Sequence, residues 1–116
     1  MLDRRNEIRV EINLEIDVNQ ILIHDKYIEL PKPFQIYIQN ISCSGMMMTC
    51  HLDIPIGTCF FIDLPIDNKI HIIIEIVRCK FKHQQFEYGC KFLQLSDKLE
   101  SRLRKFIFQQ QIKLRH

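Results

Sequence analysis

Three guanidinium groups lie within six residues near the start of the chain, in the segment Arg4-Arg5-Asn6-Glu7-Ile8-Arg9. Arginines clustered in this way focus a positive field locally, so the chemistry open to this segment is the attraction of an anionic group. The rest of the chain adds little to that field, because 16 Lys and Arg residues against 14 Asp and Glu residues leave a net charge of +2. By itself, an RxxxR spacing is more often part of a solvated N-terminal arm.

A second polar segment, Asn40-Ile41-Ser42-Cys43-Ser44-Gly45, has the composition of a turn. Asn and Ser side chains hydrogen-bond the nearby backbone, and Gly ends such turns at little steric cost. By itself, this NxSxxG segment is also most often a turn and nothing more. It closes one strand pattern, whereas the arginine segment leads into another. If these two strands pair in one sheet, we expect the two segments to meet at one rim.

The elements that must position these segments are mostly strands. Apolar and polar residues alternate from Ile8 to Val18, and this period of two predicts a half-buried strand. A polar break at 24–26 follows, and the next strand pattern begins at Phe34. Further short strand patterns occupy 46–50, 60–64, 70–76 and 86–92. Six or seven short strands separated by turns imply a barrel or a sandwich.

The period changes near Ser96, where apolar residues begin to follow helical spacing. Ser96 suits the N-cap position, and Asp97 and Glu100 in the first turn suit the helix dipole. We therefore predict one C-terminal amphipathic helix over 97–114. Its cations are interpreted as a solvated face: Lys98, Arg102, Arg104 and Lys105. With 116 residues and no linker or repeat, the chain is expected to form one domain.

The two polar segments, in this order and on this strand pattern, resemble the signature motifs of the PilZ family, RxxxR and (D/N)xSxxG. Arg5 and Arg9 match the first motif, and Arg4 matches its optional leading arginine. The second motif is matched by Asn40, Ser42 and Gly45. The segments 55–65 and 88–96 are also similar to the family's middle turn and to its last strand, so the resemblance covers roughly residues 4–113.

The resemblance implies an all-β fold, a six-stranded antiparallel (split) barrel with a C-terminal amphipathic α-helix, in which 1–9 is an arm, 8–95 the barrel and 97–114 the helix. It also implies a receptor for cyclic di-GMP, a ligand with two phosphodiester charges and two guanines. The expected ligand-binding residues are Arg4, Arg5, Arg9, Asn40, Ser42 and Gly45. The arginines suit phosphate oxygens and the guanine O6 and N7 edge. Asn40 and Ser42 would meet a guanine edge.

Gly45, which lacks a Cβ, would allow either a positive φ or close approach of a base. Arg4 predicts a further property, because in this family an arginine just before RxxxR tends to accompany binding of an intercalated cyclic di-GMP dimer. We therefore expect two ligands per chain; the alternative is that Arg4 only raises the local positive potential. The arm would fold over the ligand, and the altered surface would change the affinity for an unidentified protein partner.

Two other functions stay open at this stage. One is a PilZ module that acts through protein partners without a ligand, and the other is a small barrel that binds single-stranded nucleic acid through a basic groove and aromatic rings. The eight Phe residues fall mostly on apolar faces, so no nucleic acid is expected as a partner. We expect a monomer or a weak dimer.

Other features of the sequence argue against catalysis, metal binding and secretion. The sequence has no nucleophile elbow, P-loop or HExxH motif, and its five histidines have no metal-binding helical spacing. We expect no enzyme activity, no metal and no cofactor. Five cysteines without a CxxC pair favour free thiols in a reducing compartment. No apolar segment follows the charged N-terminus, so a cytoplasmic protein without membrane insertion is expected. Because Met1 lies so close to the arginine motif, we expect a stand-alone domain.

Overall fold

Most of the chain forms β-strands in which apolar and polar residues alternate. The β-branched and aromatic residues of these segments favour strands. A computed structural model describes residues 7–66 and 68–114. The strands and the helix, in chain order, are β1 (Val10–Ile23), β2 (Lys26–Ile41), β3 (Gly45–Cys50), β4 (Cys59–Leu64), β5 (Ile70–Lys82), β6 (Gln85–Leu93) and α1 (Asp97–Leu114). The predicted six-stranded antiparallel barrel with one C-terminal helix is confirmed.

The strands form a closed barrel in the order β1-β2-β3-β6-β5-β4, with antiparallel neighbours throughout. The closing contact between β1 and β4 is narrow. In the described chain it consists of two residue pairs, Ile21 with Phe60 and Leu22 with Cys59. The pairing that closes the barrel is therefore short, and the split form that the resemblance implied stays a prediction.

The first hairpin is longer than the sequence predicted. The polar break is a two-residue turn at His24 and Asp25, both at positive φ (49° and 63°), and β2 begins at Lys26 rather than at Phe34. Two consecutive left-handed residues match the right-handed twist of the flanking strands. Pro31 and Pro33 do not end β2, because they lie where the β1–β2 register shifts and no regular ladder hydrogen bond is required of them.

The barrel interior and the inner face of α1 share one apolar core. Leu103 and Ile107 of α1 are buried together with alternate residues of the strands. The helix begins as predicted, since the Ser96 Oγ accepts a hydrogen bond from the Leu99 N–H at 3.2 Å. The Arg102 Nη2 donates to the Lys69 carbonyl oxygen at 3.2 Å and so ties the helix to the β4–β5 turn. Among the described residues, no helix has both the length and the apolar character that a bilayer crossing requires.

Candidate functional site

The arginine segment and the NxSxxG segment meet in the folded chain. The Arg9 Nη1 donates a hydrogen bond to the Asn40 Oδ1 at 3.1 Å, although the two residues are 31 positions apart. The strands that carry them place them together, because Glu11 of β1 pairs with Asn40 of β2. Arg9 is exposed and Asn40 is half-buried, so this corner of the barrel presents a guanidinium group to the solvent.

Ser42 lies in the turn between β2 and β3 and is fully buried. Its Oγ accepts hydrogen bonds from the N–H of Ser44 at 3.3 Å and of Gly45 at 3.2 Å, and it lies 3.3 Å from the Gly45 carbonyl oxygen. The hydroxyl group is thus engaged within its own turn, and its contact with a guanine edge stays a prediction. Its physical role is that of a Ser-stabilised turn.

Gly45 opens β3 and packs tightly against β6. A Cβ at this position would lie 2.1 Å from the Cys90 carbonyl oxygen, far inside any allowed contact. Of the two possibilities expected for Gly45, a positive φ is not the one observed, because Gly57 is the one glycine at positive φ. Gly45 does permit a close approach, as expected, but the approaching group in the structure is the backbone of a neighbouring strand.

Arg4 and Arg5 lie outside the described residues. Glu7 is the first described residue. The Ser44 Oγ donates a hydrogen bond to the Glu7 Oε2 at 2.7 Å. Together with the Arg9–Asn40 bond, this contact fixes residues 7–9 against the β2–β3 turn. Glu7 and Ser44 are not among the site residues predicted from the sequence. The position of Glu7 inside the RxxxR motif was the signal that could have identified it.

Charged residues of α1 also lie near this corner of the barrel. Burial raises the pKa of the Cys43 thiol, and the nearby Arg104 guanidinium opposes that shift, with smaller contributions from Glu7 and Glu100 that raise it. The Arg104 Nη2 donates to the Glu100 Oε1 at 2.8 Å, and this hydrogen bond is the main reason that the pKa of Arg104 is raised. Arg104 is exposed, as predicted for the outer face of the helix, but it lies beside the β2–β3 turn. Helical spacing alone carries no signal of that proximity.

A cavity of about 830 Å³ lies elsewhere, between the tip of the β1–β2 hairpin and the loop 52–58. Its lining is largely apolar, and none of the predicted site residues takes part in it. The Tyr88 hydroxyl holds this loop in place, since it donates to the Leu52 carbonyl oxygen at 2.5 Å and accepts from the Ile54 N–H at 2.7 Å.

All five cysteines are free thiols. In the ranges 7–66 and 68–114, no group of three or more His, Cys, Asp or Glu residues could hold a metal ion.

Comparison with protein families gives a match to the PilZ domain over residues 3–109. This range includes both polar segments, the whole barrel and most of α1. No curated protein matches the chain.

Solved structures with the same fold are found in two bacteria. The PilZ domain with c-di-GMP of YcgR from Escherichia coli is 18% identical, with a TM-score of 0.66 over 97% of this chain and 95% of that chain. YcgR in complex with c-di-GMP, also from Escherichia coli, is 16% identical, with a TM-score of 0.73 over 98% of this chain and 49% of that chain. The Bacillus subtilis inhibitor of motility (MotI/DgrA) is 18% identical, with a TM-score of 0.67 over 99% and 55%. The chain thus spans about half the length of the latter two proteins.

Proposed function

The chain belongs to the PilZ domain family, and from this premise we propose that it is a receptor for cyclic di-GMP that acts without catalysis. PilZ domains are non-catalytic receptor domains. Two of the structurally similar chains are described with c-di-GMP, which makes this dinucleotide the ligand to test here.

The observation that carries the proposal is the hydrogen bond of 3.1 Å between Arg9 and Asn40. It joins the two motifs that the family signature requires, and it does so at an exposed corner of the barrel. Asn40 accepts one hydrogen bond from Arg9 through an oxygen with two lone pairs, so it orients the guanidinium group and still has an amide N–H₂ group to offer. Pre-orientation of this kind lowers the entropic cost of binding.

The remaining site residues divide into those that contact the ligand and those that shape the turn. We assign Arg5 and Arg9 to the phosphates and guanine edges, because a guanidinium group binds phosphate oxygens bidentately and also matches guanine O6 and N7. We assign Ser42 and Gly45 to the turn, because the Ser42 side chain is buried and Gly45 packs on β6. Both would act on the ligand through the position of Asn40.

The leading arginine of the motif sets the expected stoichiometry. Arg4 places a further guanidinium group before Arg5, and we propose that the chain binds an intercalated dimer, two cyclic di-GMP molecules for each chain. Binding would order the arm over the ligand and change the affinity for a protein partner, within the limit set by the ligand's preference for the bound conformation. The five free thiols are consistent with a receptor that works in the cytoplasm.

Thermal unfolding with and without cyclic di-GMP tests this proposal, because a ligand that binds the native state raises its melting temperature. We expect a rise that grows with ligand concentration in the wild-type chain. In Arg9→Ala the rise should be lost, while the melting temperature without ligand changes little, because Arg9 is exposed. Lys32→Ala, which removes an exposed cation from β2 near the hairpin turn, is the matched control and should respond like the wild type.

The same measurement separates the alternatives. A chain that responds to no cyclic dinucleotide would match a PilZ module that acts through protein partners alone. A chain that is stabilised equally by single-stranded oligonucleotides and by cyclic di-GMP would match a nucleic-acid-binding barrel. Either result would overturn the receptor proposal.

A further inference from the structure

A row of paired residues leads from the site around the outside of the barrel to a second arginine. Asn40 of β2 pairs with Met47 of β3, Met47 pairs with Gly89 of β6, and Gly89 pairs with Arg78 of β5. These four residues therefore lie side by side on four neighbouring strands. With a spacing of about 4.8 Å between strands, the Cα atoms of Asn40 and Arg78 are roughly 14 Å apart along the sheet.

Register shifts place both ends of this row on the outer face. The β2–β3 register shifts between Ile38 and Asn40, and the β5–β6 register shifts between Ile76 and Arg78. Ile38 and Ile76 point into the core and are fully buried, whereas Arg78 is exposed directly opposite Gly89. Such irregularities re-aim side chains and are over-represented near functional sites.

The missing side chain at position 89 gives Arg78 its conformation. A Cβ on Gly89 would lie 2.8 Å from the Arg78 Nε and 2.9 Å from its Nη2. The guanidinium group therefore occupies the space over β6 that any other residue at position 89 would fill. This brings its charge about one strand spacing nearer to Asn40, to roughly 10 Å.

The described part of the chain does not engage the guanidinium group in this place. Within residues 7–66 and 68–114, no hydrogen bond or ion pair is formed by the Arg78 side chain. An arginine that is held across a sheet, exposed and unpaired, offers its donors to a bidentate acceptor such as a phosphate or the O6 and N7 edge of guanine. A ligand that has two phosphates and two bases offers such an acceptor to this arginine as well as to Arg9.

We propose that Arg78 is a ligand-binding residue on the opposite side of the site from Arg9, and that the cyclic dinucleotide lies across the outer face of β3 and β6 between them. This inference rests on the proposed receptor function. Met47 and Gly89 form the floor of the extended site, and Gly89 acts as a positioning residue because it leaves room for the Arg78 guanidinium group.

Calorimetric titration of cyclic di-GMP into four variants tests the inference. Arg78→Ala should bind at least tenfold more weakly than the wild type, the loss expected for one good charge-assisted contact. Arg78→Lys should recover only part of the loss, because an ammonium group cannot bind bidentately. Gly89→Ala keeps the arginine but displaces it, so it should weaken binding by a similar factor. Lys80→Ala, which removes an exposed cation two residues further along β5, is the control and should bind like the wild type.

The double variant Arg78→Ala/Gly89→Ala separates a positioning role from general damage to β6. If Gly89 acts through Arg78, the double variant should bind no more weakly than Arg78→Ala alone, because coupled residues are not additive. Wild-type affinity in Arg78→Ala, or full recovery in Arg78→Lys, would overturn the inference while the wild-type titration still supports the receptor function. Additive losses in the double variant would overturn the positioning role of Gly89. A wild-type chain that does not bind would overturn the receptor function itself, and this inference with it.

Discussion

Replacing Gly45 by Ala should destabilise the barrel before it affects any ligand. The added Cβ would lie 2.1 Å from the Cys90 carbonyl oxygen, where ordinary contacts begin at 3.4 Å, so the two strands would have to separate by about 1.3 Å at this point. The neighbouring atom belongs to the backbone of β6 and cannot turn aside as a side chain could. The contact also lies where β3 begins, directly after the turn that Ser42 holds.

The magnitude follows from two opposing effects. Overpacking against a rigid backbone costs about 3 kcal/mol. Ala gains roughly 0.4–1 kcal/mol over Gly, because the unfolded chain loses conformational freedom. The free energy of unfolding should therefore fall by about 2 kcal/mol, which lowers the melting temperature by roughly 10 °C in a domain of this size.

Thermal and urea unfolding, followed by circular dichroism, measure this change. Gly89→Ala is the matched control, because the atoms nearest to its Cβ would belong to the flexible Arg78 side chain, the first of them at 2.8 Å. That side chain can swing into the solvent, so the free energy of unfolding should change by less than about 1 kcal/mol. If Gly45→Ala melts within two or three degrees of the wild type, by this order-of-magnitude scale, and yet no longer binds cyclic di-GMP, the packing role is refuted and Gly45 serves the approach of the base.

Further predictions concern the core, the loop and the ligand. Burial raises the pKa of the Cys90 thiol and of the Tyr88 hydroxyl to about 12 each, so their contribution to stability is complete below about pH 9 and is lost as the pH rises towards 12. For Cys90 the loss reaches at most about 4 kcal/mol above pH 12, and equilibrium unfolding between pH 8 and 11 should show about 3 kcal/mol of it; a flat profile would contradict the burial of the thiol. Tyr88→Phe leaves the Leu52 carbonyl and the Ile54 N–H without their partner, so it should cost about 2 kcal/mol and speed hydrogen exchange at the Ile54 amide, whereas unchanged exchange would show that the hydroxyl does not hold the loop. If Arg4 supports an intercalated ligand dimer, the wild type should saturate at about two ligands for each chain and Arg4→Ala at about one; one ligand in both would count against the dimer.

The sequence predicted the architecture well because its evidence was periodic. Alternation with a period of two marked the strands, and helical spacing with Ser96 as its cap marked α1, which the structure confirms. The start of β2 was predicted wrongly, because Pro31 and Pro33 signalled a loop. In the structure these prolines lie at a register shift, and pairing with β1 continues on both sides of it. Such a shift depends on the partner strand, which local sequence does not show.

The site was predictable only to the level of its motifs. The RxxxR and NxSxxG motifs predicted that Arg9 and Asn40 lie close together, which the structure shows. They did not predict where each side chain points. Ser42 points into its own turn. Arg104 and Arg78 come close to the site through the placement of a helix and through a bulge between β5 and β6. Both features arise from tertiary packing, so neither left a periodic or compositional signal in the sequence.

The most direct test of the receptor function is an isothermal titration of the full chain with cyclic di-GMP, alongside Arg9→Ala. A saturable binding heat in the wild type, which Arg9→Ala weakens at least tenfold while its melting temperature without ligand is unchanged, is the predicted result. A wild-type titration without binding heat, repeated at a second temperature so that a vanishing enthalpy is not mistaken for absence of binding, would contradict the account.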